Sequence, residues 1–248
     1  MNTNRQRIRK SLLALMFVVF QYRLFHLFLS PVLAVVAASQ GVINGSMMIY
    51  ALLFLSAIFF GRAWCGWLCP GAAINEACAM IVRKRCRGGR GNMIKYMLFA
   101  VLAGLIGFMA YRAGGFHAVD PFYGMDRRSH LQDILLLVGA VAIIVPLALC
   151  FGRFANCHYL CWGVPIMIIG TKIKNTIGWP SLHLTANPAA CKDCGNCDQH
   201  CPMRLPVAAM VQRGNLQNAE CVLCGNCVDH CRAGAIRYAF GVPKRTRS

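Results

Sequence analysis

The 248-residue chain is 57% hydrophobic, with a mean hydropathy of +0.50, which is too apolar for an ordinary soluble domain. Lys and Arg outnumber Asp and Glu 26 to 8, for a formal charge of +18, yet they form no basic, aromatic-interleaved face, so nucleic acid is set aside as a partner. Fifteen cysteines, an odd number arranged in C-x-x-C runs, exclude a secreted disulfide framework and point to metal ligands on the reducing side of a membrane.

A spanning helix needs about 20 apolar residues. Four windows meet or approach that length, 11–38, 43–60, 93–111 and 134–151. The first is overlong and interrupted by Pro31, so a tilt or kink is expected there. Arg5, Arg7, Arg9 and Lys10 precede it, and Arg83, Lys84, Arg85, Arg87, Arg90 and Lys95 cluster between the second and third windows. The segment ASQGVING between the first two has no charge. The positive-inside rule then places both termini in the cytoplasm of a bacterial inner-membrane, multi-pass protein, with membrane lipid as a partner. The opening RQRIRK–SLLALMFVVF resembles a signal peptide, but the apolar run continues past it, so a retained first span is expected.

Two further stretches, 63–82 and 154–170, are nearly uncharged and contain cysteine pairs. They are expected as interfacial or re-entrant segments of a membrane domain covering 1–175. Residues 176–188, with the aperiodic GWPSLHLTANPAA, are expected as a linker to a cysteine-dense module at 189–240, followed by a basic tail at 241–248. The expected fold is therefore an α-helical membrane protein with four transmembrane helices and a C-terminal α+β ferredoxin-like domain of the bacterial two-[4Fe-4S] type.

The module contains CKDCGNCDQHCP and CVLCGNCVDHCR. In C-x-x-C-x-x-C-x-x-x-C spacing, three thiolates from one tight loop grip three corners of a cubane, and the other repeat supplies the fourth. Cys191, Cys194, Cys197 and Cys231 are expected to hold one [4Fe-4S] cluster, and Cys221, Cys224, Cys227 and Cys201 the other. Paired zinc sites are the competing reading, but zinc does not need this crossed duplication. Arg232, directly after Cys231, adds positive charge that favours a reduced cluster.

FFGRAWCGWLCPGAA at 59–73 and CFGRFANCHYLCWGVP at 150–165 form an internal repeat. Each follows an even-numbered span, carries Phe-Gly-Arg and presents C-x-x-x-C. The second copy has one extra residue before Cys157, and Trp162 replaces proline. On a continuous helix the Cβ atoms of Cys65 and Cys69 would stand about 5–6 Å apart, beyond the roughly 3.5–4.5 Å of an unstrained disulfide. Pro70 predicts a turn at Cys69. Cys65, Cys69, Cys157 and Cys161 are expected to converge at the cytoplasmic face, as a third metal centre or a redox pair, whereas Cys78, Cys86 and Cys150 are expected to be structural.

Four spans, GRAWCGWLCPGAA, CHYLCWGVP and the double cluster motif resemble the NapH-type membrane polyferredoxins, the quinol dehydrogenase subunit of the periplasmic nitrate reductase system. They also resemble the wider group of four-helix membrane ferredoxins with paired C-x-x-x-C-P sequences. That group includes the membrane domains of the nitrous oxide reductase regulator and of a cytochrome oxidase assembly protein with cupric reductase activity. The resemblance implies quinone as a substrate and electron delivery to a redox partner, another iron–sulfur protein or a cytochrome.

Quinol oxidation releases two protons and calls for a titratable acceptor. Arg23 and His26, mid-run in the first window, are the candidates, with His117, Asp120, His130 and Asp133 as an outer alternative. The chain has no C-x-x-C-H and no Gly-rich dinucleotide fingerprint after a strand, so neither covalent haem nor a dinucleotide is expected. His158, His200 and His230 are expected to tune the cysteine sites rather than ligate iron. The expected function is membrane-bound electron transfer, with a copper reductase or metalloenzyme maturation factor as the alternative and a membrane redox sensor as the second.

Overall fold

The computed structural model describes residues 3–21, 30–82, 84, 86, 91–124 and 130–242. Helix α1 (Thr3–Gln21) is followed by α2 (Pro31–Ser39), strand β1 (Val42–Asn44) and α3 (Gly45–Phe60). Two shorter helices, α4 (Ala63–Trp67) and α5 (Pro70–Ile81), lead to α6 (Asn92–Arg112), strand β2 (Ala118–Asp120) and α7 (His130–Phe151). Then come α8 (Ala155–Tyr159) and α9 (Gly163–Ile177).

Among the described residues, one helix, α6, is long and apolar enough to cross a membrane, where four were expected. The physical reasons differ by window. Window 11–38 is divided: α1 begins at Thr3, and α2 starts afresh at Pro31, where the Ser30 hydroxyl caps the Leu33 N–H. Window 43–60 gives its first residues to β1, which pairs in parallel with β2, leaving 16 residues for α3. In the last window α7 itself runs from His130 to Phe151, and its continuously described apolar part is Val138–Phe151. α6 packs on α2, yet it buries only Lys95 and Ala110 and exposes Met97, Val101, Leu105 and Phe108, so it is apolar on nearly every side.

The internal repeat is structural. α3–α4–α5 and α7–α8–α9 each run long helix, five-residue helix, third helix. Leu68 and Cys69 both donate to the Trp64 carbonyl, and Leu160 and Cys161 both donate to that of Asn156. The extra residue of the second copy is absorbed by Phe154, which adopts φ 63 while almost fully buried. α9 packs along α3, where a Cβ on Gly170 would lie 2.9 Å from the Phe54 carbonyl, so the two helices approach through bare backbone.

The cysteine-rich module holds β3 (Ser181–Ala186), α10 (Asn196–His200), α11 (Val207–Gln212), α12 (Asn226–Asp229) and β4 (Ile236–Gly241). β3 lies inside the stretch expected as a linker. It pairs antiparallel with β4 in the register Ser181↔Gly241 to Ala186↔Ile236, closing the module around its chain ends. One apolar core runs from Leu13, Leu53 and Ala57 through Cys65 and Met167 to Val222 and Ile236, so the module shares its core with the helical part.

Candidate iron–sulfur and thiol centre

The two cysteine repeats fold alike. Asp193 and Leu223 stand at φ 48 and 50, and Gly195 and Gly225 at φ 66 and 78, so each loop alternates through left-handed residues before a short helix. His200 and His230 contact the carbonyls of Asn196 and Asn226 through Nδ1, and their rings stack at 3.6 Å. Backbone N–H groups of Leu205 and Ala235 reach the sulfurs of Cys201 and Cys231 at 3.4 and 3.3 Å.

Cys201, Cys221, Cys224 and Cys227 line one cavity whose other walls are mainly apolar, among them Leu184, Met203, Val207 and Leu216. Cys201 thus crosses from the first repeat to join three cysteines of the second. Burial pushes the Cys221 thiol up to about 11 and the Cys224 thiol up to about 12; Cys201 adds to both, while backbone hydrogen bonds and nearby cations oppose the rise. Four thiolates cannot share such a space unaided, because each opposes the charge of the others. An iron–sulfur core supplies the missing positive charge, and the donor set and cavity fit it. At the other end, Cys197 neighbours Cys231, Cys194 is exposed, and Cys191 is partly so.

The structure also brings the helix-mouth thiols together. Burial, then repulsion from Cys65 and Cys161, pushes Cys69 up to about 12. Cys157 is raised by burial and then by Cys161, Cys69 and Cys65. The backbone turns at Cys69, extended at ψ 122, and α5 restarts at Pro70. Cys65 Sγ lies 3.3 Å from Met167 Sδ, adding a thioether to the group. Among the described residues, no three His, Cys, Asp or Glu side chains are gathered closely enough to hold a single metal ion.

The loop carrying Cys221, Cys224 and Cys227 docks directly on α4. A Cβ on Gly66 would collide with the Val222 carbonyl oxygen. Trp67 Nε1 donates to the Leu223 carbonyl at 2.9 Å, and the Tyr238 hydroxyl donates to the same oxygen at 2.6 Å. From α1, Gln6 Nε2 donates to the Cys224 carbonyl at 3.1 Å and to Asp229 at 2.6 Å. Fully buried Arg9 ties Gly66 O (3.2 Å) to Glu76 (2.8 Å). Arg62 Nη1 and Lys95 Nζ, also fully buried, meet the two oxygens of Glu220 at 2.8 and 2.6 Å.

Residues 44–87 and 132–167 match a family model described as a 4Fe-4S binding domain, and residues 190–236 match a 4Fe-4S dicluster domain. The chain carries 4Fe-4S ferredoxin-type domains. Their cysteines support two [4Fe-4S] clusters. YccM of Escherichia coli (strain K12), whose name proposes a role in electron transport, is 25% identical over 187 residues, covering 67% of this chain and 48% of that protein. Protein NirI of Paracoccus denitrificans (strain Pd 1222) is 26% identical over 164 residues, covering 62% of this chain and 23% of that protein. The chain thus spans half or less of the length of these two relatives. No solved structure matches it.

Sequence reasoning missed most of the docking residues. Arg9 and Lys95 counted only as topology charges, Glu220 had no role, and Gly66 and Trp67 were read only as part of the repeat. The Phe-Gly-Arg repeat was the signal available for Arg62. Arg23 and His26 lie outside the described residues, as do the side chains of His130 and Asp133. His117 precedes β2 and Asp120 is its last residue; the backbone N–H of Phe122 donates to Asp120 Oδ1 at 3.0 Å. His158 is buried, with Nδ1 at 2.9 Å from Asn92 Oδ1.

Proposed function

We propose that the protein is an inner-membrane electron-transfer subunit that takes electrons from quinol and passes them to a separate redox partner, as in a quinol dehydrogenase. In this reading α1 with α2, α3, α6 and α7 form the membrane domain, both chain ends are cytoplasmic, and the partner is an iron–sulfur protein or cytochrome such as one serving nitrate reduction. Cys191, Cys194, Cys197 and Cys231 hold one [4Fe-4S] cluster, and Cys201, Cys221, Cys224 and Cys227 the other. When bound, these clusters supply one-electron redox chemistry. The residues of the chain do the rest: they dock the second site against the membrane domain, exclude water from it and expose the first site to a partner.

The observation that carries this reading is the direct seating of the Cys221–Cys227 loop on the Cys65-bearing helix α4, with the Val222 carbonyl against Gly66. The membrane-side thiols and the buried cluster site are thereby neighbours, and Cys194 marks the solvent end. Anaerobic protein in liposomes, mixed with a menaquinol or ubiquinol analogue, should bleach its visible iron–sulfur absorbance. Full reducibility by dithionite with no response to any quinol would overturn the quinol assignment.

A second reading is favoured by the sulfur-rich surroundings of Cys65. The Cys65 thiol and the Met167 thioether, 3.3 Å apart, are a pair of soft donors suited to monovalent copper. A copper reductase would reoxidise its dithionite-reduced clusters on addition of cupric ion without any quinol reactivity.

A further inference from the structure

The two cluster sites differ most in buried positive charge. Among the described residues four cations are essentially excluded from solvent: Arg9, Arg62, Lys95 and Lys174, at 1%, 0%, 0% and 3% exposure. Three of them face the Cys201/221/224/227 site. Arg62 and Lys174 line one cavity together with Cys221 and Leu223, and Arg9 donates at 3.2 Å to the carbonyl of Gly66, the residue against which the Val222 carbonyl of the cysteine loop packs. Carboxylates answer only part of this charge. Glu76 pairs with Arg9, and Glu220 is shared between Arg62 and Lys95. Lys174 Nζ donates to the Leu182 carbonyl at 2.9 Å. Arg62 Nε and Nη2 have no hydrogen-bond partner and are buried.

A buried cation without a counter-charge is costly, and a net-negative thiolate-ligated cluster is the anion this pocket lacks. The other site has the opposite surroundings. Cys197 Sγ lies 4.0 Å from Asp198 Oδ1, a carboxylate that opposes added negative charge, and Lys192 and Arg232 are exposed. A cation in water acts through a dielectric about four times that of a pair near the protein surface, so Arg232 weighs less than Arg62.

We propose that Arg62, supported by Arg9 and Lys174, makes the Cys201/221/224/227 site the more readily reduced of the two, so that the resting electron sits at the membrane-docked end of the module. These are positioning charges, since they act on the site through its cysteines. The inference rests on the ligand assignment under Proposed function. Reduction adds one electron to a site, makes and breaks no bond and binds no proton; dithionite supplies the electron in the test.

The experiment is a potentiometric titration of full-length protein in detergent under anaerobic conditions, followed by electron paramagnetic resonance. Cys194→Ser identifies the signal of the exposed site. In the unsubstituted protein the other signal should appear first on reduction. Arg62→Gln should lower that site's potential by at least the equivalent of a tenfold change in electron distribution, about 59 mV for a one-electron couple, leaving the exposed site unmoved. Arg62→Lys, which keeps the charge, should restore most of the difference. Lys174→Met supplies a second variant that leaves the Glu220 network intact and should shift the same signal in the same direction. The proposal is overturned if the exposed site is reduced first, if Gln and Lys at position 62 have equal effects, or if both signals move together. Iron and sulfide analysis of the unsubstituted protein separates these outcomes from failure of the ligand assignment, because a chain short of two four-iron clusters fails at that earlier step.

Discussion

Glu220→Gln tests the docking of the cysteine module most directly, because it keeps the shape of the side chain and removes only its charge. One carboxylate holds two cations that are fully buried, Arg62 at 2.8 Å and Lys95 at 2.6 Å. At an effective dielectric of 20, a pair near 4 Å interacts by about 4 kcal/mol, and removing one partner of a buried pair costs about 3–5 kcal/mol. Lys95 can relieve part of the loss by giving up its proton, whereas Arg62 cannot. The expected loss is therefore about 3–5 kcal/mol, which at roughly 2–4 °C per kcal/mol for a chain of this size lowers Tm by about 6–20 °C. Thermal scans of the cluster-loaded protein in detergent, read at the visible iron–sulfur band, make the measurement. A shift of about 2 °C or less would match an exposed ion pair and would refute the claim that this carboxylate pins the module.

The same residue gives the protein an acid limit. Although burial alone would raise it, Arg62 and Lys95 hold the Glu220 carboxyl below its ordinary 4.5. The stabilisation it provides is present above about pH 4.5 and is lost as pH falls through the folded value, so the Tm gap between unsubstituted and Glu220→Gln protein should narrow below that pH. Gly66→Ala should lower stability by about 1–3 kcal/mol, because the added methyl meets the Val222 carbonyl, a backbone atom that cannot swing aside; calorimetry would read it. Trp67→Phe should cost about 1 kcal/mol or less, since the Leu223 oxygen keeps its bond from Tyr238. Cys201→Ser and Cys224→Ser should alter the same paramagnetic signal and Cys231→Ser the other, and any other grouping would break the crossed ligation. Cys65→Ser with Cys157→Ser should leave both cluster signals in place yet slow quinol-driven bleaching at least tenfold; an unchanged rate would remove the helix-mouth thiols from the path.

Much of the site was legible in sequence because its information is local. The spacing of Cys221, Cys224 and Cys227 within one tight loop dictates which sulfurs face the same volume, and duplication points to Cys201 as the crossing ligand. The turn at Cys69 followed from Pro70, and the repeat at 59–73 and 150–165 emerged as matching helix, short helix, helix units. The linker expectation failed at β3 because pairing with β4, in a register that runs from Ser181↔Gly241 to Ala186↔Ile236, outweighs two prolines and a lack of periodicity. Hydropathy alone also could not tell where one long apolar window would break into α1 and α2.

By itself the sequence determined the chemistry: cysteine count and spacing select iron–sulfur ligation. Only the tertiary structure decided which cysteine group lies buried against the helices and which faces outward, and that Arg9, Arg62 and Glu220 meet there. Ligand spacing is written within a dozen residues. The electric field at a site is instead a sum over charges from distant parts of the chain, each weighted by the water that folding removes around it.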